Sequence, residues 1–136
     1  MITYIFDSYA FLAFFKKEPG CEVVNKLLHK CTGDRFEGLI SSINLGEVYY
    51  MLCRKFKPDR AALGIKAIYE MPVRILAPSI EDCLTAAKLK AKYKISYADA
   101  FAASLAIHHD GILITGDKEF ESLHQVPGFK VIFLNK

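Results

Sequence analysis

Five short apolar runs, each set off from the next by stretches of helical spacing, leave this chain little choice of fold. The runs fall at about residues 2–6, 37–41, 73–77, 112–115 and 130–134, and each has the length of a strand. Helical patterns occupy about 8–16, 20–31, 43–56, 58–70, 79–93, 97–109 and 118–124. Pro58 suits the first turn of its helix, and Pro78 marks the exit from a strand. Such alternation predicts a parallel sheet with helices on both faces, because parallel neighbours need crossovers and crossovers are usually helical. The expected fold class is α/β, a layered sandwich built as one domain over 1–136.

Four carboxylates fall at the handovers between elements. Asp7 closes the opening run Met1–Phe6, and Glu47 follows Gly38–Asn44 where a helical pattern begins. Asp99 lies in the Ala-rich stretch Ser96–Ala106, and Asp117 closes Ile112-Leu-Ile-Thr-Gly-Asp117. The carboxyl ends of parallel strands share one edge of the sheet, where open α/β folds place their sites. Four acids converging there form a hard-oxygen pocket for Mg²⁺ or Mn²⁺. Ser8, Ser41 and Thr115 add short hydroxyls beside the same edge, able to hold a carboxylate or a water.

Each acid also has a structural explanation. Ser96 with Asp99, and Asn44 with Glu47, have the spacing of capping boxes, while Asp7 and Asp117 suit N-cap positions. Ser79 with Asp82 has that spacing too and reads as capping alone. Capping does not explain why Asp99 sits among Ala98, Ala100, Phe101, Ala102 and Ala103. An acid in so apolar a helix needs a counter-charge or a metal.

Other chemistries find less support. No Walker A loop, GxGxxG or GxSxG occurs, and Tyr9 stands where a phosphatase of the haloacid dehalogenase kind carries its second Asp. Cys21, Cys31, Cys53 and Cys83 lack zinc spacing and read as buried thiols. His108 and His109 end a helix, where cations complement the dipole, and His29 and His124 stand alone. Lys88, Lys90, Lys92 and Lys94 read as a solvated helix end. The net charge of +3 permits nucleic-acid binding without requiring it. No apolar run approaches the roughly 20 residues of a membrane span, and no signal peptide is evident. A cytoplasmic protein without a membrane partner is the expectation.

The stretch 8–16 is apolar all round, so it is either fully buried or meets a partner. With Tyr49, Tyr50 and Met51 on a later helix, it predicts a homodimer and a groove for a further partner.

The order and spacing of the acids resemble the PIN-domain nucleases, especially the small VapC-type toxins of prokaryotic toxin–antitoxin pairs. The stretches that carry the resemblance are Tyr4–Ser8, Ile40–Glu47, Ser96–Ala102 and Leu113–Phe120, with Pro127–Ile132 similar to the family's last strand. The resemblance implies a five-stranded parallel sheet of order 3-2-1-4-5 in an α/β/α sandwich. It implies Asp7, Glu47, Asp99 and Asp117 as the catalytic and metal-binding quartet, with Ser8 and Thr115 supporting. It implies a Mg²⁺- or Mn²⁺-dependent endoribonuclease that acts on RNA and is held by a cognate antitoxin. In the family the residue two after the first acid is often small and polar, whereas here it is Tyr9. A DNA-directed flap or repair nuclease, and a PIN-like binding module without activity, are the alternatives.

Overall fold

The computed structural model describes residues 1–134. Its strands are β1 (Ile2–Phe6), β2 (Phe36–Ser41), β3 (Val73–Leu76), β4 (Ile112–Thr115) and β5 (Lys130–Phe133). All pair in parallel in the order β3-β2-β1-β4-β5. Tyr4 of β1 lies opposite both Gly38 of β2 and Ile112 of β4, so the first strand is the centre of the sheet. The helices are α1 (Ser8–Phe15), α2 (Cys21–Lys30), α3 (Ser42–Lys55), α4 (Pro58–Tyr69), α5 (Ile80–Lys92) and α6 (Tyr97–His108).

Strand side chains alternate between two faces, and each face has its own core. Tyr4, Phe6, Ile40 and Ile114 meet α1–α4 on one side, through Phe11, Val24, Leu28, Val48, Leu52 and Ile68. Ile5, Leu39 and Leu113 meet α5 and α6 on the other, through Leu89, Ala102 and Leu105. The result is a three-layer α/β/α sandwich. The chain winds outward from β1 to β3 and then returns through α5 and α6 to β4. The strand order therefore reverses between β1 and β4, and crevices open outside the carboxyl ends at such a reversal.

Three expectations are corrected. The stretch 118–124 is a 3₁₀ turn, Lys118–Leu123, rather than an α-helix. Phe120 and Leu123 are both buried, and three-residue spacing is the repeat that a 3₁₀ helix stacks on one side. Only Cys31 is a buried thiol; Cys21, Cys53 and Cys83 are half-buried. The helix α1 is mostly interior, with Ala10, Phe11, Leu12 and Ala13 in the core, so it adds little outer surface for a partner. The four lysines from 88 to 94 are exposed as expected. Among the described residues, no helix is long and apolar enough to cross a membrane.

Candidate active site

Asp7 leaves β1 as the N-cap of α1. Its carboxylate accepts the Ala10 N–H at 2.9 Å and a hydrogen bond from the Thr115 hydroxyl, and only 1% of the residue is exposed. Thr115 ends β4, and its Oγ1 also accepts the Asp117 N–H at 3.0 Å. One hydroxyl thus fixes two acids across the β1/β4 reversal. The Asp117 carboxylate accepts the Glu119 N–H at 2.9 Å, which turns the chain back on itself. As a result, carboxylate oxygens of Asp99, Asp117 and Glu119 all lie within 4.8 Å of one another.

Asp99 reaches this edge from the opposite direction. The helix α6 runs toward β4, so its first turn lies at the far end, and the Asp99 N–H donates to Ser96 Oγ at 3.0 Å. Residues Asp99 to Ala106 are buried without a break, which small alanine side chains make possible. Glu47 lies in the second turn of α3, one turn beyond the handover that its spacing suggested. The Ser8 hydroxyl donates to Glu47 Oε1 and aims it across from α1, while the Tyr50 hydroxyl stands 3.5 Å from Oε2.

Electrostatics bind these groups into one site. Burial pushes the Asp7 carboxyl up to about 8, and the charges of Asp99 and Asp117 add to the rise against the hydrogen bonds from Thr115 and Ala10. Burial also raises Asp99 to about 6, helped by Asp117 and Glu47 and opposed by Ser96. Among the described residues, no lysine, arginine or histidine forms an ion pair with any of these acids. Two buried acids with only like charges for neighbours are the condition that a divalent cation relieves. The clustered donors are all carboxylate oxygens, which suit Mg²⁺ or Mn²⁺ and not a soft metal. The residues fit such an ion.

Asp7, Asp99 and Asp117 thus meet, Glu47 borders Asp99, and Ser8 and Thr115 orient acids. Ser41 does not join them: it caps α3 by accepting the Ile43 N–H at 3.1 Å. The Asn44–Glu47 capping box is also overturned, because Ser41 both ends β2 and caps α3 and so places Asn44 inside the helix. Asn44 is fully buried there, donating from Nδ2 to the Ala98 carbonyl at 3.2 Å. It ties the helix of Glu47 to the helix of Asp99, and its Oδ1 has no partner among the described residues. Glu119 was missed from sequence because it looks like one more charge on a solvated turn. Its signal was the short Asp-x-Glu spacing after a strand, which an Asp side chain closes through the amide two residues on. Asp82 forms a capping box with Ser79 and in addition pairs with His108, so capping is not its only role.

A parallel, doubly wound sheet with an acid cluster at its order reversal defines a class of α/β protein with a carboxylate site. The PIN domain model matches residues 4–125, and the chain belongs to the PIN-domain family. Three solved structures share the fold closely. VapBC2 from Rickettsia felis, bound to a DNA fragment from their promoter, matches with a TM-score of 0.74 and 20% identity, over 97% of this chain and 98% of that one. VapBC-1 from nontypeable Haemophilus influenzae matches with a TM-score of 0.73 and 20% identity, over 99% and 100%. VapC20 from Mycobacterium tuberculosis, a Sarcin-Ricin loop cleaving toxin, matches with a TM-score of 0.70 and 18% identity, over 89% and 95%. No curated protein sequence matches this one.

Proposed function

We propose that this PIN domain is a metal-dependent endoribonuclease that hydrolyses phosphodiester bonds in RNA, and that it is the toxin of a toxin–antitoxin pair. The observation that carries the reading is the meeting of Asp7, Asp99 and Asp117, with Glu47 and Glu119 beside them, at one crevice without a counter-cation. Asp99, Asp117 and Glu119 would hold Mg²⁺ or Mn²⁺ between them, with Asp7 and Glu47 at its border. Such an ion supplies Lewis-acid stabilisation of phosphate charge and a nucleophile at neutral pH. Asp7, raised to about 8, holds its proton at neutral pH in the metal-free protein and would give it up where a cation is held beside it. Thr115 and Ser8 keep Asp7 and Glu47 from turning away, so the acids enter the reaction already oriented.

The toxin reading is supported by structural neighbours that are VapBC complexes, and by an apolar groove of about 600 Å³ between α3 and α4. Leu45, Tyr49, Ala62, Ile65 and Tyr69 line it, a surface suited to an antitoxin segment. Tyr49 and Tyr50 remain outward, as the homodimer proposal requires.

Labelled single-stranded RNA and matched DNA, each with Mn²⁺ and with EDTA, test the activity. Wild type should cut RNA only with metal, and Asp99→Asn should be slower by more than about a hundredfold, the scale for removing one preorganised charge. Asp110→Asn is the control: Asp110 is exposed with a φ of +49°, a conformation that Asn tolerates as well as Asp. Equal cutting of DNA overturns the substrate, and no cutting of either strand with metal overturns the enzyme.

A further inference from the structure

Tyr9 departs from the family's usual small residue, and the structure shows what accommodates it. Its ring lies against Gly116, between Thr115 and Asp117. A Cβ at Gly116 would stand 2.6 Å from Tyr9 Cδ1 and 2.7 Å from Cζ, so only glycine admits the ring at this place. While Phe11 and Leu12 of the same helix are buried, Tyr9 keeps 39% of its surface exposed. An aromatic ring is therefore seated on the loop that carries two residues of the acid site, with part of it open to solvent.

Tyr50 and Tyr97 are also exposed near site acids, and each packs on a side chain of its own helix. Arg54 stands over the Tyr50 ring at 5.0 Å, and Tyr97 packs on Phe101 with ring centres 4.8 Å apart. Tyr9 differs in resting on the backbone beside Asp117 itself.

We propose that Tyr9 is a base-stacking platform, taking the face of a nucleobase next to the phosphate that the acids hold. This rests on the nuclease reading of the acid cluster and deepens it. Acids and a cation recognise only the phosphate, which is common to every nucleotide. Sequence-tolerant grip on a single strand comes from stacking, because every base has a π-face. A ring already seated against Gly116 loses little freedom when a base lies on it.

The rival reading is that Tyr9 merely fills the notch over Gly116. Four variants separate the two: Tyr9→Trp and Tyr9→Phe keep an aromatic face, Tyr9→Leu keeps apolar bulk, and Tyr9→Ala keeps neither. Each is measured for affinity to a short single-stranded RNA and to the same strand made abasic, in Ca²⁺, and for kcat and KM in Mn²⁺. Wild type, Phe and Trp should favour the intact strand by about five- to hundredfold, the range that stacking supplies. Leu and Ala should lose most of that preference, with KM raised by a similar factor and kcat within about threefold. Tyr9→Leu behaving as wild type, or wild type holding the abasic strand equally well, overturns the platform. Base-dependent affinity that needs an aromatic at position 9, in a protein that cuts nothing, supports the platform and overturns hydrolysis. Normal cutting with Tyr9→Leu unchanged overturns the platform and leaves hydrolysis standing.

Discussion

Asp7 and Asp99 hold protons to about 8 and about 6, against 3.8 for an ordinary aspartate, chiefly because burial disfavours their charged forms. Between roughly pH 4 and pH 8 the metal-free folded chain therefore binds more protons than the unfolded chain, and its stability falls as pH rises. In EDTA the melting temperature should be lower at pH 8.5 than at pH 5, and Asp7→Asn should flatten the profile. Mn²⁺ should restore the loss at high pH by binding only the folded state. A wild-type profile that is flat in EDTA and indifferent to Mn²⁺ contradicts the shared site. Asn44 poses a different residue-scale question. The Ala98 carbonyl it reaches lies within α6, where the helix supplies its own amide partner, so losing Asn44 leaves no new orphan there. Asn44→Leu gives up one bond worth about 1 kcal/mol and also removes a buried acceptor without a partner, which costs about 1–3 kcal/mol. Urea unfolding should find the variant as stable as wild type or more so, and a loss above about 2 kcal/mol would show that Oδ1 is satisfied in solution.

At the scale of elements, α5 and α6 form an antiparallel pair clamped near one end. Ser79 and Asp82 cap each other's backbone, with the Ser79 N–H donating to the Asp82 carboxylate at 2.8 Å. Asp82 also meets His108 Nδ1 at the end of α6, and His108 Nε2 lies 3.2 Å from Thr85 Oγ1. Asp82→Ala should destabilise by about 1–2 kcal/mol in denaturant titration, the worth of a cap with a partly exposed partner. Its melting response to Mn²⁺ should stay that of wild type, because the clamp lies apart from the acid cluster; a lost response would join the clamp to the site. The strands and long helices were legible in the sequence because their apolar spacing is what buries them. Ile5 and Phe6 show it, pointing to opposite cores as neighbours in a strand must. The acids Asp7, Asp99 and Asp117 were visible because strand ends and an apolar helix are unusual places for charge. Glu119 and Asn44 were not visible, because each depends on a turn settled by backbone hydrogen bonds. A one-residue overlap of strand and cap at Ser41 sufficed to turn Asn44 from a presumed cap into a buried tie between helices.

For the whole molecule, the central position of β1 sets the order in which things can happen. The first strand pairs with β2 early, yet its other neighbour is β4, and Thr115, Asp117 and Glu119 come only after that. Contacts so distant in sequence form slowly and late, and a chain emerging from the ribosome grows from its N-terminus at about 5–20 residues per second. Asp7 is made before β2, β3 and α2 to α6, and all of these must follow it before Thr115 can reach it. A nascent polypeptide therefore has no assembled acid cluster, however much of α1–α4 has already packed. The site comes into being only when β4 docks beside β1, so a chain that stops short of β4 carries its first acid without Thr115, Asp117 or Glu119.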